Sequence, residues 1–220
     1  MKQSGAIATP PADGVEVVDV AAGYAGYFRL DRYRLRHRLY AGGWGPPMER
    51  EVFERGHAVA AVLYDPDKDV LVLIEQFRVG AYLALREPHL RGAFSPWLIE
   101  IVAGIIDTEE TPDAVICREA MEEAGCPIRE LRPIGPILTT PGGSTETVGL
   151  YYGLVSAPAS GGLHGLDEEH EDIRVIVATP DEVWQWMDQG RIVNGPALTG
   201  LQWFRIHERE LRRPSAAAAD

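Results

Sequence analysis

The sequence predicts an α/β protein built on a mixed sheet covered by helices. Three observations carry this. Strand-like and helix-like runs interleave along the chain without a repeated strand–helix–strand unit. Two apolar runs, HAVAAVLY at 57–64 and VLVLIEQF at 70–77, flank a DPDKD turn and read as a hairpin inside a well-buried sheet. No internal repeat and no glycine-rich phosphate loop of the Walker or Rossmann kind is present.

Taken in order, residues 1–14 read as a flexible tail and VEVVDV at 15–20 as a strand. Tyr27 to Tyr40 alternates with period 2: Tyr33, Leu35, His37 and Leu39 face one way, Arg32, Arg34, Arg36 and Arg38 the other. That basic stripe reads as a solvated or subunit-facing surface. GGWGPP at 42–47 is a turn, and a further strand begins at Glu49. Residues 15–55 thus form a small β unit with too little core of its own, which must pack on something, such as a second copy of the chain. The larger domain runs over 56–211. Beyond the hairpin come a loop at 83–96, a strand from Trp97 to Val102, a helix from Pro112 to Ala124, and strands at 131–138 and 147–155. A long acidic loop at 156–172 leads to the strand IRVIVA, a helix opened by Thr179-Pro180 and ended at Gly190, and a helix from about Pro196 to Leu211. Leu198, Leu201, Gln202, Phe204 and Ile206 are expected near the buried side of that last helix. Residues 212–220 read as a second flexible tail.

Composition bounds the function. With 220 residues, 45% hydrophobic and 25% charged, the chain has the make-up of a soluble globular protein. No apolar run approaches the roughly 18 residues of a membrane span, and the N-terminus lacks a signal-peptide core, so the cytoplasm is expected. A net charge of −12 disfavours nucleic acid as a partner and would repel a free pyrophosphate unless cations neutralised the surface first. Two cysteines, Cys117 and Cys126, stand nine residues apart on a helix and its cap, too far to bridge, and read as small packing residues.

The chemistry concentrates between Gly104 and Cys126. Thr111 and Pro112 form a helix start and Gly125 a left-handed stop. The helix so bounded carries Glu119, Glu122 and Glu123 in its C-terminal half. Like charges at i,i+3 and i,i+4 cost a few tenths of a kcal/mol each, and anions near a helix C-terminus oppose its dipole. Local stability would not choose this arrangement, whereas a hard divalent cation shared between carboxylates one turn apart would. A bare ExxEE run would read as a solvated face. The wider register argues otherwise: Gly104, Glu110, Arg118, Glu119, Glu122, Glu123 and Gly125 all stand in fixed spacing within 22 residues.

That stretch resembles the Nudix box, Gly-x5-Glu-x7-Arg-Glu-U-x-Glu-Glu-x-Gly-U, with the small apolar residues Ala120 and Cys126 at the two U positions. Glu109 stands where relatives often have Gly. The likeness continues through ERGHAVA at 54–60, IEQFR at 74–78, WLIEIVAG at 97–104, TPGG at 140–143 and HGLDEEHEDIRV at 164–175, in the manner of bacterial ADP-ribose pyrophosphatases. Pro141 stands where a proline is associated with that branch. The resemblance implies a Nudix α/β/α sandwich and a homodimer that exchanges N-terminal β units. It implies Mg²⁺, two or three ions with Mn²⁺ as a substitute, bound by the Ala103 carbonyl, Glu119, Glu123 and Glu171. Arg118 would orient the box glutamates with Glu122 close behind. Glu169 would help activate water, which overrides a first reading of its acidic loop as merely solvated. Arg78 and Glu146 would contact ADP-ribose, and Tyr27 and Arg50 would sandwich adenine. The implied reaction hydrolyses ADP-ribose to AMP and ribose 5-phosphate. Another nucleotide-sugar, ADP-glucose or GDP-mannose, is the alternative substrate. A non-catalytic ADP-ribose sensor is the remaining reading, and it would be expected to have lost box carboxylates that this chain keeps.

Overall fold

A computed structural model describes residues 12–107, 109–166 and 170–212, and the chain divides into two compact units. The first comprises the residues up to Gly56 together with Thr140–Glu146; the second comprises His57–Thr139 and the rest of the chain from Thr147.

In the first unit, β1 (Val15–Ala25), β2 (Arg29–His37) and β3 (Met48–Glu54) form a three-stranded antiparallel sheet in sequence order. The expected strand at 15–20 is therefore longer, kept in register past two irregularities at Val17/Asp19 and Ala22/Tyr24. Arginines of the basic stripe are occupied within the unit: Arg36 pairs with Glu16 at 2.7 Å, and Arg36 and Arg38 lie over the Trp44 ring. The segment 140–146 runs beside β3, where Phe53 N–H donates to the Gly143 carbonyl at 2.8 Å and Thr145 Oγ1 donates to Glu54. Within this unit the valines of β1 stay about half exposed.

The second unit is built on β4 (Ala58–Asp65), β5 (Val70–Phe77), β6 (Trp97–Glu100), β7 (Val102–Ile105), β8 (Glu130–Leu138), β9 (Thr147–Leu154), β10 (Leu163–His164) and β11 (Ile173–Ala178). The sheet is mixed: β4 and β9 run parallel, and the other pairs are antiparallel. The β4–β5 hairpin pairs only near its turn, Leu63–Asp65 with Val70–Val72. Beyond that the two strands part, and the chain from 97 to 105 fills the gap, β6 on β5 and β7 on β4. The single strand expected over Trp97–Val102 is consequently broken at Ile101, a buried residue where the chain changes partner.

Alternation along β4 divides the core. Ala60, Val62 and Tyr64 join a cluster with Trp184, Leu201 and Phe204, from α3 (Pro180–Asp188) and α4 (Gly195–Leu211). Val59, Ala61 and Leu63 join another with Val115, Ile116, Ala120 and Ala124 of α2 (Pro112–Ala124). Helices on both faces of one sheet make the expected α/β/α sandwich. The buried stripe of α4 is Ala197, Gly200, Leu201 and Phe204, which corrects the sequence assignment: Gln202 is exposed and Ile206 is 78% exposed. Gly200 sets that stripe, since a Cβ there would stand 2.9 Å from Val62 and 3.2 Å from Ile101, so the helix rests directly on the sheet.

Two further corrections concern loops. Residues 79–84, left unassigned in the sequence, form the short helix α1 (Val79–Ala84), which overlaps the start of the predicted 83–96 loop. The acidic loop after β9 contains β10, paired to β11. No helix among the described residues is long and apolar enough to cross a membrane.

Candidate active site

The box begins where β7 delivers Ala103 and Gly104 against β4, Ala103 opposite Ala60 and Gly104 opposite Val59. The helix that follows is placed by its own ends. Thr111 Oγ1 accepts from the Ala114 N–H at 3.3 Å, and Pro112 occupies the first turn. At the other end Gly125 takes φ 62°, its N–H bonded to the Met121 carbonyl in a left-handed stop, with the Cys126 N–H bonded to the Ala120 carbonyl. Ala120 and Cys126 are fully buried, so the small residues at the two apolar box positions seat α2 closely on the sheet. Both cysteines are free, but only Cys126 is buried; Cys117 lies on the exposed side of α2 and packs nothing, contrary to expectation.

This seating brings five box side chains together, Glu110, Arg118, Glu119, Glu122 and Glu123. Glu123 is only 2% exposed, and its Oε2 accepts from the Ala103 N–H at 3.0 Å. Glu119 lies directly over Gly104, where any Cβ would collide with its carboxyl group. Arg118 donates through Nε and Nη2 to both oxygens of Glu110 at 3.2 and 3.1 Å, and through Nη1 to Glu122 at 2.7 Å, with Glu119 at 3.0 Å. One guanidinium thereby ties the loop glutamate to two glutamates of the helix. Its bond to Glu110, then that to Glu122, holds Arg118 above the ordinary guanidinium value.

The electrostatics point to a cation. Burial pushes Glu119 up to about 7, with the charges of Glu122 and Glu171 adding and Arg118 opposing. Burial likewise pushes Glu123 up to about 8, with Glu119 and Glu171 adding and the Ala103 bond opposing. The part-buried Glu119 and the buried Glu123 present carboxylate oxygens of the kind a hard divalent ion takes. Among the described residues no three His, Cys, Asp or Glu side chains already converge into a cage. The carboxylates are turned instead to Arg118, to the Ala103 N–H and, for Glu171, to the Leu166 N–H at 3.3 Å.

Glu171 N–H donates to the Leu166 carbonyl at 3.2 Å, and Gly165 N–H donates to the carbonyl of Glu122 at 3.3 Å. His164 lies against Gly125, where a Cβ would meet its ring at 2.8 Å. His164 and Gly165 therefore hold this part of the acidic loop against the box helix. Glu169 lies outside the described residues.

Arg78 ends β5 and belongs to the same unit as the box. It is half exposed, and its charge interacts with those of Glu123 and Glu171. Desolvation works against that charge, yet the bond to Glu100 prevails and raises its value. Glu100 is the residue that sequence reasoning missed. A lone carboxylate inside the apolar run WLIEIVAG was the available sign, because a charge in a central strand must be answered by a partner.

Tyr27, Arg50 and Glu146 belong to the first unit. Tyr27 stands in the β1–β2 turn, 87% exposed, edge-on to Phe28 at 4.7 Å. Arg50 is exposed on β3 opposite Tyr33, and its Nη1 donates to the Glu49 carbonyl at 2.7 Å. Glu146 is buried and paired with Arg55 at 3.1 Å.

Comparison with known proteins agrees with this geometry. A family model described as the NUDIX domain matches residues 54–211. The chain is 40% identical over 198 residues to the ADP-ribose pyrophosphatase of Escherichia coli (strain K12), spanning 90% of this chain and 91% of that one. It is 38% identical over 199 residues to the ADP-ribose pyrophosphatase of Haemophilus influenzae, spanning 90% and 89%. A GDP-mannose pyrophosphatase of Klebsiella pneumoniae is 34% identical over 160 residues, spanning 71% and 75%. Among solved structures, the fold is similar to the crystal structure of an ADP compounds hydrolase, with a TM-score of 0.66 at 16% identity, covering 90% and 97%.

Proposed function

The chain belongs to the NUDIX family of pyrophosphohydrolases, and on that premise we propose that it hydrolyses the diphosphate of ADP-ribose to AMP and ribose 5-phosphate. The observation that carries the chemistry is the pair of carboxylates, the part-buried Glu119 and the buried Glu123, packed beside Ala103 and Gly104 and pushed up to about 7 and about 8. Likeness along nine-tenths of the chain to ADP-ribose pyrophosphatases supports the choice of substrate.

The residues would divide the work as follows. Ala103, through its carbonyl, with Glu119, Glu123 and Glu171, would hold two or three Mg²⁺ ions, for which Mn²⁺ is a substitute. When bound, these ions supply neutralisation of the diphosphate charge and a lowered pKa for attacking water. Arg118 fixes the rotamers of the helix glutamates, with Glu122 behind them. Arg78 presents its guanidinium to a phosphate oxygen. Glu169 accepts the proton from water as it attacks phosphorus. Glu146 contacts the ribose-phosphate portion, and Tyr27 and Arg50 sandwich adenine between an aromatic face and a guanidinium plane. The exposed valines of β1 support a homodimer that exchanges its N-terminal β units. The proposed location is the cytoplasm.

A second substrate reading, GDP-mannose, is favoured by one observation, the 34% identity to a GDP-mannose pyrophosphatase. Hydrolysis of ADP-ribose, ADP-glucose, GDP-mannose and a nucleoside triphosphate, each with Mg²⁺ and with chelator, separates the readings. Metal-dependent preference for ADP-ribose is expected. Preference for another sugar would leave the chemistry standing and remove the assignment of the pocket.

A further inference from the structure

Glu100 is 2% exposed in β6 and has two partners. Arg78 donates to it through Nε at 3.2 Å to each oxygen and through Nη2 at 2.7 Å. Asn194 Nδ2 donates to Oε1 at 3.0 Å, while Asn194 Oδ1 accepts from the Ala197 N–H at 2.9 Å and so caps α4. Burying a carboxylate in an apolar strand costs more than a leucine would, and a buried ion pair is weak ground for stability. Its use lies elsewhere. One edge of the Arg78 guanidinium, Nε with Nη2, is spent on Glu100, which leaves Nη1 free, among the described residues, for an anion. A carboxylate held from behind by the cap of a helix gives that guanidinium one orientation.

We infer that Glu100 and Asn194 are positioning residues for Arg78, a relay that runs from the N-cap of α4 through a buried carboxylate to the arginine that receives the diphosphate. This rests on the reading of Arg78 as a substrate ligand. The relay explains why Asn, and not a shorter cap, stands at 194: serine caps a helix as well but is too short to reach Glu100. It also explains why Glu and not Gln stands at 100, since a carboxylate grips a guanidinium fork more firmly than a neutral amide would.

The test is steady-state kinetics and melting of the full chain with ADP-ribose and Mg²⁺. Glu100→Gln is expected to raise KM about 10-fold, the scale of one lost charge-assisted bond, with kcat within about 3-fold of wild type. The Mg²⁺ concentration for half activation stays unchanged, because the metal ligands are untouched. Asn194→Ser keeps the cap and raises KM by about 3-fold. In an Arg78→Ala background, Glu100→Gln adds no further rise in KM, and it restores melting temperature by removing an unpaired buried charge. A merely structural Glu100 would lower melting temperature and leave KM where it was, and that result, or additive effects on KM, overturns the relay. A wild type silent on ADP-ribose but active on another nucleotide-sugar overturns the substrate reading alone, and the same KM comparison is then made with that sugar.

Discussion

The carboxyl group of Glu119 lies so close over the backbone of Gly104 that the glycine has no room for a Cβ. Gly104 is not in a left-handed conformation, so the requirement comes from the neighbour and not from the backbone. Gly104→Ala should push Glu119 away from Ala103 and lower kcat/KM by about 10²-fold, the usual consequence of an ångström-scale misplacement. Fold and melting temperature should suffer less than activity. Kinetics together with Mg²⁺ activation would check this. A variant with wild-type rates would mean that Glu119 need not sit where it does.

Metal binding should be coupled to protons. Without metal, Glu119 and Glu123 are pushed to about 7 and about 8, above the ordinary carboxylate range. Their folded values exceed their unfolded ones, so their contribution to stability is full in acid and is lost as pH rises through 7 to 8. A cation can be bound only by the ionised forms. Calorimetry near pH 7 in buffers of different ionisation enthalpy should therefore record proton release on adding Mg²⁺, and almost none near pH 9. The melting temperature gained from Mg²⁺ should be larger at pH 9 than at pH 6. Equal gains at both would contradict the buried pair.

A local test of the fold lies at the start of α3. Glu182 accepts from the Thr179 N–H at 2.9 Å and from its hydroxyl at 2.7 Å, while Thr179 Oγ1 accepts from the Glu182 N–H. These bonds hold Glu182 below the ordinary value. Glu182→Ala should cost about 1 kcal/mol, or about 2–4 °C of melting temperature, with activity unchanged. The sign follows from the depressed value: the contribution is present above the ordinary carboxylate range and is lost as pH falls through the folded one. The gap between variant and wild type should close as pH falls below the ordinary carboxylate range. A gap that persists there would assign the effect to packing.

How legible each part was depends on whether its cause is local. The box helix could be bounded because Thr111, Pro112 and Gly125 act on their own neighbours, whereas the orienting role of Arg118 was implied by the resemblance alone. The helix α1 could not: VGAYLA buries nothing, and Arg78 precedes it without a side-chain cap, so neither periodicity nor a start signal marks it. The break at Ile101 is equally silent, since the run is apolar throughout and only the parting of β4 from β5 decides it. The face of α4 was misjudged because apolar side chains were counted, whereas Ala197 and Gly200 approach the sheet by being small. Glu100 meets Asn194 across 94 positions, a contact no local pattern announces.

The last prediction concerns the base. Arg118 is bonded to Glu110 and Glu122, and Glu123 to Ala103, so the helix glutamates are already engaged by partners of their own. A proton acceptor for water is then best sought off the helix, and Glu169 is the residue to change. Its loop is tied to α2 on one side by Gly165 on the Glu122 carbonyl, and on the other it carries Glu171. Glu169→Gln should lower kcat by about 10²-fold or more while KM and the Mg²⁺ requirement hold, the pattern of a group acting only in the transition state. The acid limb of the kcat–pH profile should vanish with it. An unchanged kcat would remove Glu169 from the role and turn attention to Glu122, whose carboxylate would then have to leave Arg118 to act.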